Sequence, residues 1–197
     1  IGTFVDPERE GCAMNAKGAA SPIVHRVDFG GDTWLHFPNI APDVCILRAT
    51  TADEHGNLTY EHEGAYLGGL DQAIATRNNR GLVIAQVKRI TARGSLRPHD
   101  VRVPGHLVDL IVLDPDARQT CETPHDPAIS GEVMRPWDSF APAPHGIEKI
   151  IARRAALELK SGMTANLGFG ISAMVPYVLL EEGAPQAVTW VIEQGAV

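Results

Sequence analysis

Residues 163–173 read MTANLGFGISA, and the next apolar run, Ala187 to Glu193, closes on Glu193-Gln194-Gly195. Met163 to Leu167 predicts a short strand, Gly168-Phe169-Gly170 a turn, Ile171 to Glu182 a helix, and Ala187 to Glu193 the following strand. Strand, turn, helix and strand in that order make a βαβ unit, and the fold class that follows is α/β with a largely parallel sheet. In open sheets of this kind ligands collect outside the carboxyl ends of the strands, where the glycine turn and Glu193 both stand. A turn that leaves a strand and opens a helix presents free N–H groups and a helix dipole, which suit an anion. A glutamate at a strand tip beside a glycine lets a ligand approach closely, as a nucleophile requires. Acyl transfer is the chemistry this arrangement suggests. Val197 follows only four residues after Glu193, and the chain opens on Ile1 rather than methionine, so a piece of a larger enzyme is expected.

Two other readings of the same residues stay open. Gly168-x-Gly170-x-x-Ala173 is also the spacing of a dinucleotide-binding turn, with Glu193 placed where a ribose-binding acid would stand. Pro176, early in the helix, and Gln194-Gly195 after the glutamate fit that alternative less well. A glycine pair can also serve tight packing alone, and a strand-tip glutamate can simply be solvated.

Upstream, Ile23 to Phe29 and Thr33 to Phe37 are alternating runs flanking Gly30-Gly31-Asp32, which predicts a β-hairpin with a three-residue connection. Val44 to Ala49, Leu82 to Ile90 and Leu107 to Leu113 read as buried strands. Between the first two, Gly64 to Arg77 carries helical spacing through Tyr66, Leu67, Leu70, Ile74 and Ala75. Asp114 to His145 is rich in proline, yet retains Ile129, Val133, Trp137 and Phe140, which predicts an ordered connector rather than a loose tether. From Gly146 to Lys160, Ile147, Ile151 and Ala155 form an i, i+4 ladder with Ile150 beside it, so one apolar stripe is expected against a sheet.

The 197 residues are 44% hydrophobic, enough for a core, with 24 acidic against 17 basic residues and a net charge of −7. The densest basic cluster, Lys149, Arg153 and Arg154, lies on one amphipathic helix, so a nucleic-acid partner is not expected. No apolar run reaches the roughly 18 residues of a membrane span, so no membrane partner is expected either. Cys12, Cys45 and Cys121 are odd in number and widely spaced, which argues against a disulfide framework and for a reducing, cytoplasmic compartment. Glu61-His62-Glu63 with His55 invites a metal reading, but the spacing matches no common site, and no metal is expected. Cys121 with His125 lacks an orienting third group, and His99, His106, His125 and His145 read as loop residues. Asp53-Glu54-His55-Gly56-Asn57 reads as a turn after a strand, at a carboxyl end where a substrate-side role stays open.

Several long motifs occur in order: Ile1-Gly2-Thr3-Phe4-Val5-Asp6-Pro7, Thr50-Thr51-Ala52-Asp53-Glu54-His55-Gly56-Asn57-Leu58, Gln86-Val87-Lys88-Arg89 and Arg93-Gly94-Ser95-Leu96. They continue in Ser130-Gly131-Glu132, Ile150-Ile151-Ala152-Arg153-Arg154-Ala155-Ala156, Asn166-Leu167-Gly168-Phe169-Gly170 and Glu193-Gln194-Gly195. In these the chain resembles the class I coenzyme A transferases, in particular the single-chain acetate or propionate branch. The resemblance implies parts of two similar open α/β domains: 1–114 as the C-terminal part of the first, 115–145 as an interdomain connector, and 146–197 as the start of the second, with the active site between them. It implies Glu193 as the catalytic nucleophile of a Glu-x-Gly motif, and Asn166, Gly168, Gly170, Gln194 and Gly195 around the acyl-CoA.

The reaction implied is ping-pong transfer of CoA between a short-chain acyl-CoA, such as acetyl-, propionyl- or acetoacetyl-CoA, and a free carboxylate. It runs through an acyl-glutamyl anhydride and a glutamyl-CoA thioester, as in short-chain fatty-acid, propionate or ketone-body metabolism. Coenzyme A is then a substrate, with no cofactor bound permanently. The partners implied are acyl-CoA, small carboxylates, the remainder of the enzyme and further copies in a homo-oligomer. A glycine-rich oxyanion loop is implied upstream of Ile1, and a further glycine loop after Val197. The family pattern implies a proline two residues after the loop position corresponding to Phe169, whereas this chain has Ser172 next to Ile171.

Overall fold

The computed structural model describes residues 1–9, 11 and 13–192. They divide into two compact units, one of residues 1–60 and 67–116, the other of 61–66 and 117 onward. No helix among the described residues is long and apolar enough to cross a membrane.

The first unit opens with a short helix, α1 (Ala16–Ala20), capped by the Asn15 side chain, which accepts the Gly18 N–H at 2.9 Å. The predicted hairpin follows as β1 (His25–Phe29) and β2 (Asp32–His36). Phe29 pairs with Asp32, so the loop is the two residues Gly30-Gly31 rather than the expected three. Asp32 is drawn into the ladder because a two-residue turn matches the twist of the paired strands. Arg26 of β1 grips Asp6 with Nε and a terminal nitrogen, both at 2.9 Å. Asp6 is fully buried and also accepts the Gly2 N–H at 2.7 Å. This arginine, then the Gly2 backbone, holds its carboxyl well below the usual carboxylate range. The opening motif Ile1 to Pro7 thus anchors the chain start to the hairpin.

The main sheet contains β3 (Val44–Asp53), β4 (Leu58–Thr59), β5 (Leu82–Thr91) and β6 (Leu110–Leu113), in the order β4-β3-β5-β6. β3, β5 and β6 are parallel, as expected, and the unforeseen β4 is an antiparallel edge. β6 is shorter than the predicted 107–113 because Gly105–Leu107 closes a single 3₁₀ turn. α2 (Gly69–Asn78) crosses from β3 to β5 and begins five residues later than the apolar spacing predicts, with Leu67 and Gly68 at φ +55° and +64°. Two residues in the left-handed region cannot continue a right-handed helix upstream. The helix buries Gly69, Ala73 and Thr76, while Leu70 and Ile74 stay exposed. Leu47, Ala49, Val83, Ala85 and Val87 build the core with Ala73 and Tyr60.

The second unit holds α3 (Ile147–Ala156), β7 (Met163–Leu167), α4 (Val175–Glu181) and β8 (Val188–Ile192). β7 and β8 pair in parallel, Met163 with Val188 through Leu167 with Ile192. The stripe expected on α3 is overturned: Ile147 and Ile150 are 74% and 68% exposed, and the buried residues are Lys149, Ala152 and Ala156. Two alanines let α3 approach α4, and Lys149 turns inward because the Ala143 carbonyl and Glu181 receive its ammonium at 2.8 and 2.8 Å. The lysine, ahead of the Ala143 N–H, holds the Glu181 carboxyl low. The expected helix 171–182 is two elements, a 3₁₀ turn over Ile171–Met174 and then α4. In the proline-rich segment, Phe140 meets Tyr177 edge-on at 6.1 Å and carries the Arg135 guanidinium over its face at 4.8 Å.

Candidate functional site

Parallel pairing of β7 and β8 brings their carboxyl ends to one edge. Asn166 is the penultimate residue of β7, opposite Val191, and is exposed. Gly168 leaves the strand, Phe169 is 76% exposed, and Gly170 takes φ +89° and ψ −142°. That backbone conformation is open to glycine and strained for other residues. Gly168 needs no such freedom, but a β-carbon there would meet only Ser172 Oγ, so its backbone stays approachable. Ser172 donates its hydroxyl to the Gly168 carbonyl at 2.9 Å. A side-chain tether thus closes the turn.

The helix expected directly after this turn opens as a 3₁₀ turn, and α4 starts only at Val175. Ala173 N–H is engaged by the Gly170 carbonyl at 3.0 Å in the 3₁₀ turn, so the amides here belong to a tight turn rather than to the start of a long helix. This weakens the dipole expected of the turn, and with it the dinucleotide reading of Gly168-x-Gly170-x-x-Ala173. The structure therefore gathers Asn166, Gly168 and Gly170 at one strand-end edge. Glu193, Gln194 and Gly195 lie outside the described residues.

In the same unit, Trp137, Phe140, Pro176, Tyr177, Leu180 and Trp190 line an apolar recess of about 170 Å³. Three segments contribute to it: the proline-rich stretch, α4 and β8. It offers aromatic faces and few polar groups, suited to an apolar chain rather than to a charged one. The sequence reading noted Trp137 and Phe140 as signs of order, but their convergence with Tyr177 and Trp190 depends on the packing of α4.

A second set of strand ends lies in the first unit. Asp53, last residue of β3, is 2% exposed and accepts hydrogen bonds from His55 N, Asn57 N and Asn57 Nδ2 at 3.0, 3.0 and 2.9 Å, and from Gly94 N at 3.4 Å. Burial pushes its carboxyl up, but the Asn57 side chain and these backbone donors outweigh it, so the group sits below its ordinary value. Glu54 accepts the Arg93 N–H at 3.0 Å, tying the turn after β3 to the loop after β5. Asn57 Oδ1 accepts from Gly105 N at 2.9 Å. A β-carbon on Gly105 would lie 2.0 Å from the His55 carbonyl oxygen, so only glycine permits that approach. Asp53-Glu54-His55-Gly56-Asn57 is therefore a built turn with an ionised, water-excluded anchor. In Gln86-Val87-Lys88-Arg89, Gln86 donates to Asp114 at 2.6 Å and Arg89 to Thr51 Oγ1 at 2.8 Å. These motif residues brace the sheet. Cys45 is buried and Cys121 exposed; Cys12 lies outside the described residues.

Residues 1–114 match the family model described as Coenzyme A transferase. Over 198 residues the chain is 39% identical to a caffeate CoA-transferase from Acetobacterium woodii, covering 99% of this chain and 38% of that protein. It is 36% identical over 198 residues to acetate CoA-transferase YdiF of Escherichia coli strain K12, covering 100% of this chain and 37% of that protein. A crystal structure of acyl-CoA transferase YdiF from E. coli O157:H7, a thioester complex with CoA, has the same fold at a TM-score of 0.78 and 37% identity, over 98% of this chain and 36% of that one. The chain thus spans under two fifths of the length of these relatives.

Proposed function

Because the chain belongs to the coenzyme A transferase family, we propose that its polypeptide moves CoA from a short-chain acyl-CoA to a free carboxylate, with Glu193 as the covalent nucleophile. The observation that carries this reading is the register Leu167 to Ile192, which brings the ends of β7 and β8 together. The Gly168–Gly170 turn leaves one end, and Glu193 follows the other in sequence. The relative captured as a thioester with CoA supports the same chemistry.

In the proposed first step a Glu193 carboxylate oxygen attacks the thioester carbonyl, the C–S bond breaks, and CoA leaves as thiolate. The thiolate then attacks the glutamyl carbonyl of the anhydride, releasing the acyl group as a carboxylate and leaving a glutamyl-CoA thioester. An acceptor carboxylate runs the two steps in reverse, and no net proton is consumed. A carboxylate is a poor nucleophile toward a thioester in water, but holding the reactants together supplies about 7 to 11 kcal/mol of the barrier. Each backbone donor at the tetrahedral oxyanion adds about 3 kcal/mol. Asn166, Gly168, Gly170, Gln194 and Gly195 surround the acyl-CoA in this scheme. Coenzyme A is a substrate rather than a resident cofactor, and small carboxylates are the acceptors. The remainder of the enzyme completes the site, in a cytoplasmic homo-oligomer.

Trapping tests the proposal. The complete enzyme incubated with acetyl-CoA and digested is expected to yield the Glu193 peptide carrying CoA, and Glu193→Ala is expected to lose roughly 1,000-fold or more in turnover. An adduct on another residue, or unimpaired turnover in the variant, would remove Glu193 from the mechanism. Saturable NADH binding without acyl-CoA binding would favour the dinucleotide alternative.

A further inference from the structure

We infer that His62, His125 and Glu132, brought together in the second unit, form a binding site for a divalent cation of the zinc type. His62 is distant in sequence from His125 and Glu132, and its neighbours Glu61, Glu63 and His55 match no common site by spacing. In the structure, His62 Nε2 lies 3.6 Å from Glu132 Oε1, and His125 Nε2 lies 3.1 Å from Glu132 Oε2. All three ligand atoms fall within 4.8 Å of one another. Ligands about 2.0 to 2.1 Å from a tetrahedral zinc are about 3.3 to 3.4 Å apart, so each imidazole already stands near that distance from one of the two carboxylate oxygens, and a small rotation of the carboxylate brings one oxygen to both.

Two imidazole nitrogens and one carboxylate oxygen are a donor set for zinc, cobalt or nickel rather than for magnesium or calcium. The imidazole rings stand 4.3 Å apart and are tilted by 31°. Ser130 Oγ donates to Glu132 Oε2 at 2.8 Å, which orients the carboxylate as an outer hydrogen-bond partner does at metal centres.

Buried Gln119 holds the frame. Its Nε2 donates to the His62 carbonyl at 2.8 Å and its Oε1 accepts the Asp126 N–H at 2.8 Å, which fixes the two histidine-bearing segments side by side. Gly64 packs on Ile129 nearby. A cation here clasps residues 61–66 to the loop over 119–132, joining segments nearly sixty residues apart in the chain.

The test uses the complete enzyme stripped of metal with a chelator and dialysed, titrated calorimetrically with Zn²⁺ in a C121S background that removes the exposed thiol. One ion per chain is expected at this site. Affinity should fall by about 100-fold or more in His62→Ala and His125→Ala, and by about 10-fold in Ser130→Ala. Millimolar Mg²⁺ should not compete. Should an alanine variant fail to fold, NMR of the parent protein reads the same question: the ring protons of His62 and His125 should shift together on adding one equivalent of Zn²⁺. Binding of equal strength in parent and variants would overturn the site, as would no binding at all, which would reduce the cluster to an ion pair.

Discussion

Asp53 is withdrawn from water yet kept ionised, because four donors converge on its two oxygens. Asp53→Ala leaves those donors without an acceptor in a buried turn and should cost about 3 kcal/mol in urea unfolding. The sign of the pH effect follows from the lowered folded value. Its stabilisation is fully present above the ordinary carboxylate range and is lost as pH falls through the lowered folded value. The parent should therefore lose stability more steeply than Asp53→Asn below about pH 4, measured as urea midpoints against pH. A parallel course for both proteins would mean the charge contributes nothing. The sequence marked this stretch as a turn from its Asp, Gly and Asn content, but the burial of one carboxylate among three acidic and polar neighbours depended on the Gly94 and Gly105 backbones arriving from later loops. The proposal for Glu193 rests on the opposite kind of signal, local order along the chain, an apolar run followed by Glu193-Gln194-Gly195.

At the scale of elements, close approach decides more than apolar periodicity does. Gly105 passes against the His55 carbonyl so tightly that Gly105→Ala should destabilise the first unit by about 3 kcal/mol, seen as a lowered thermal midpoint. On α3 the buried residue of highest consequence is charged. Lys149→Ala leaves Glu181 and the Ala143 carbonyl without their cation and should unfold well below the parent temperature. Replacing both partners, as Lys149→Met with Glu181→Leu, should recover much of that loss, because an apolar pair removes the need for compensation. A double variant less stable than Lys149→Ala would contradict this account. Strand and helix order, and the hairpin, were readable because periods of 2 and 3.6 are local properties. The buried faces of α2 and α3 were not, since alanines and a paired lysine carry no apolar signal.

For the molecule as a whole, the main sheet covers only one face with α2. Val44, Ile46 and Leu110, which share the other face by register, stay exposed, Ile46 at 73%. Parallel strands such as β3, β5 and β6 ordinarily have both faces covered. Ile147, Ile150 and Leu157 are likewise exposed in the second unit. The 197-residue chain by itself should therefore bind a hydrophobic dye and self-associate in sedimentation. Ile46→Lys should reduce both while changing stability by no more than about 0.5 kcal/mol. An unchanged dye signal would show that this face is not the exposed one.

The hairpin, the parallel strands β3, β5, β7 and β8, the glycine turn after β7 and the family motifs were legible in the sequence alone, because each is written in residues that are neighbours along the chain. The partner of Lys149, the bare face of the sheet and the meeting of His62 with His125 and Glu132 were decided only by tertiary structure. Those depend on which distant segment arrives opposite a side chain, and whether it brings an opposing charge, a small residue or nothing at all.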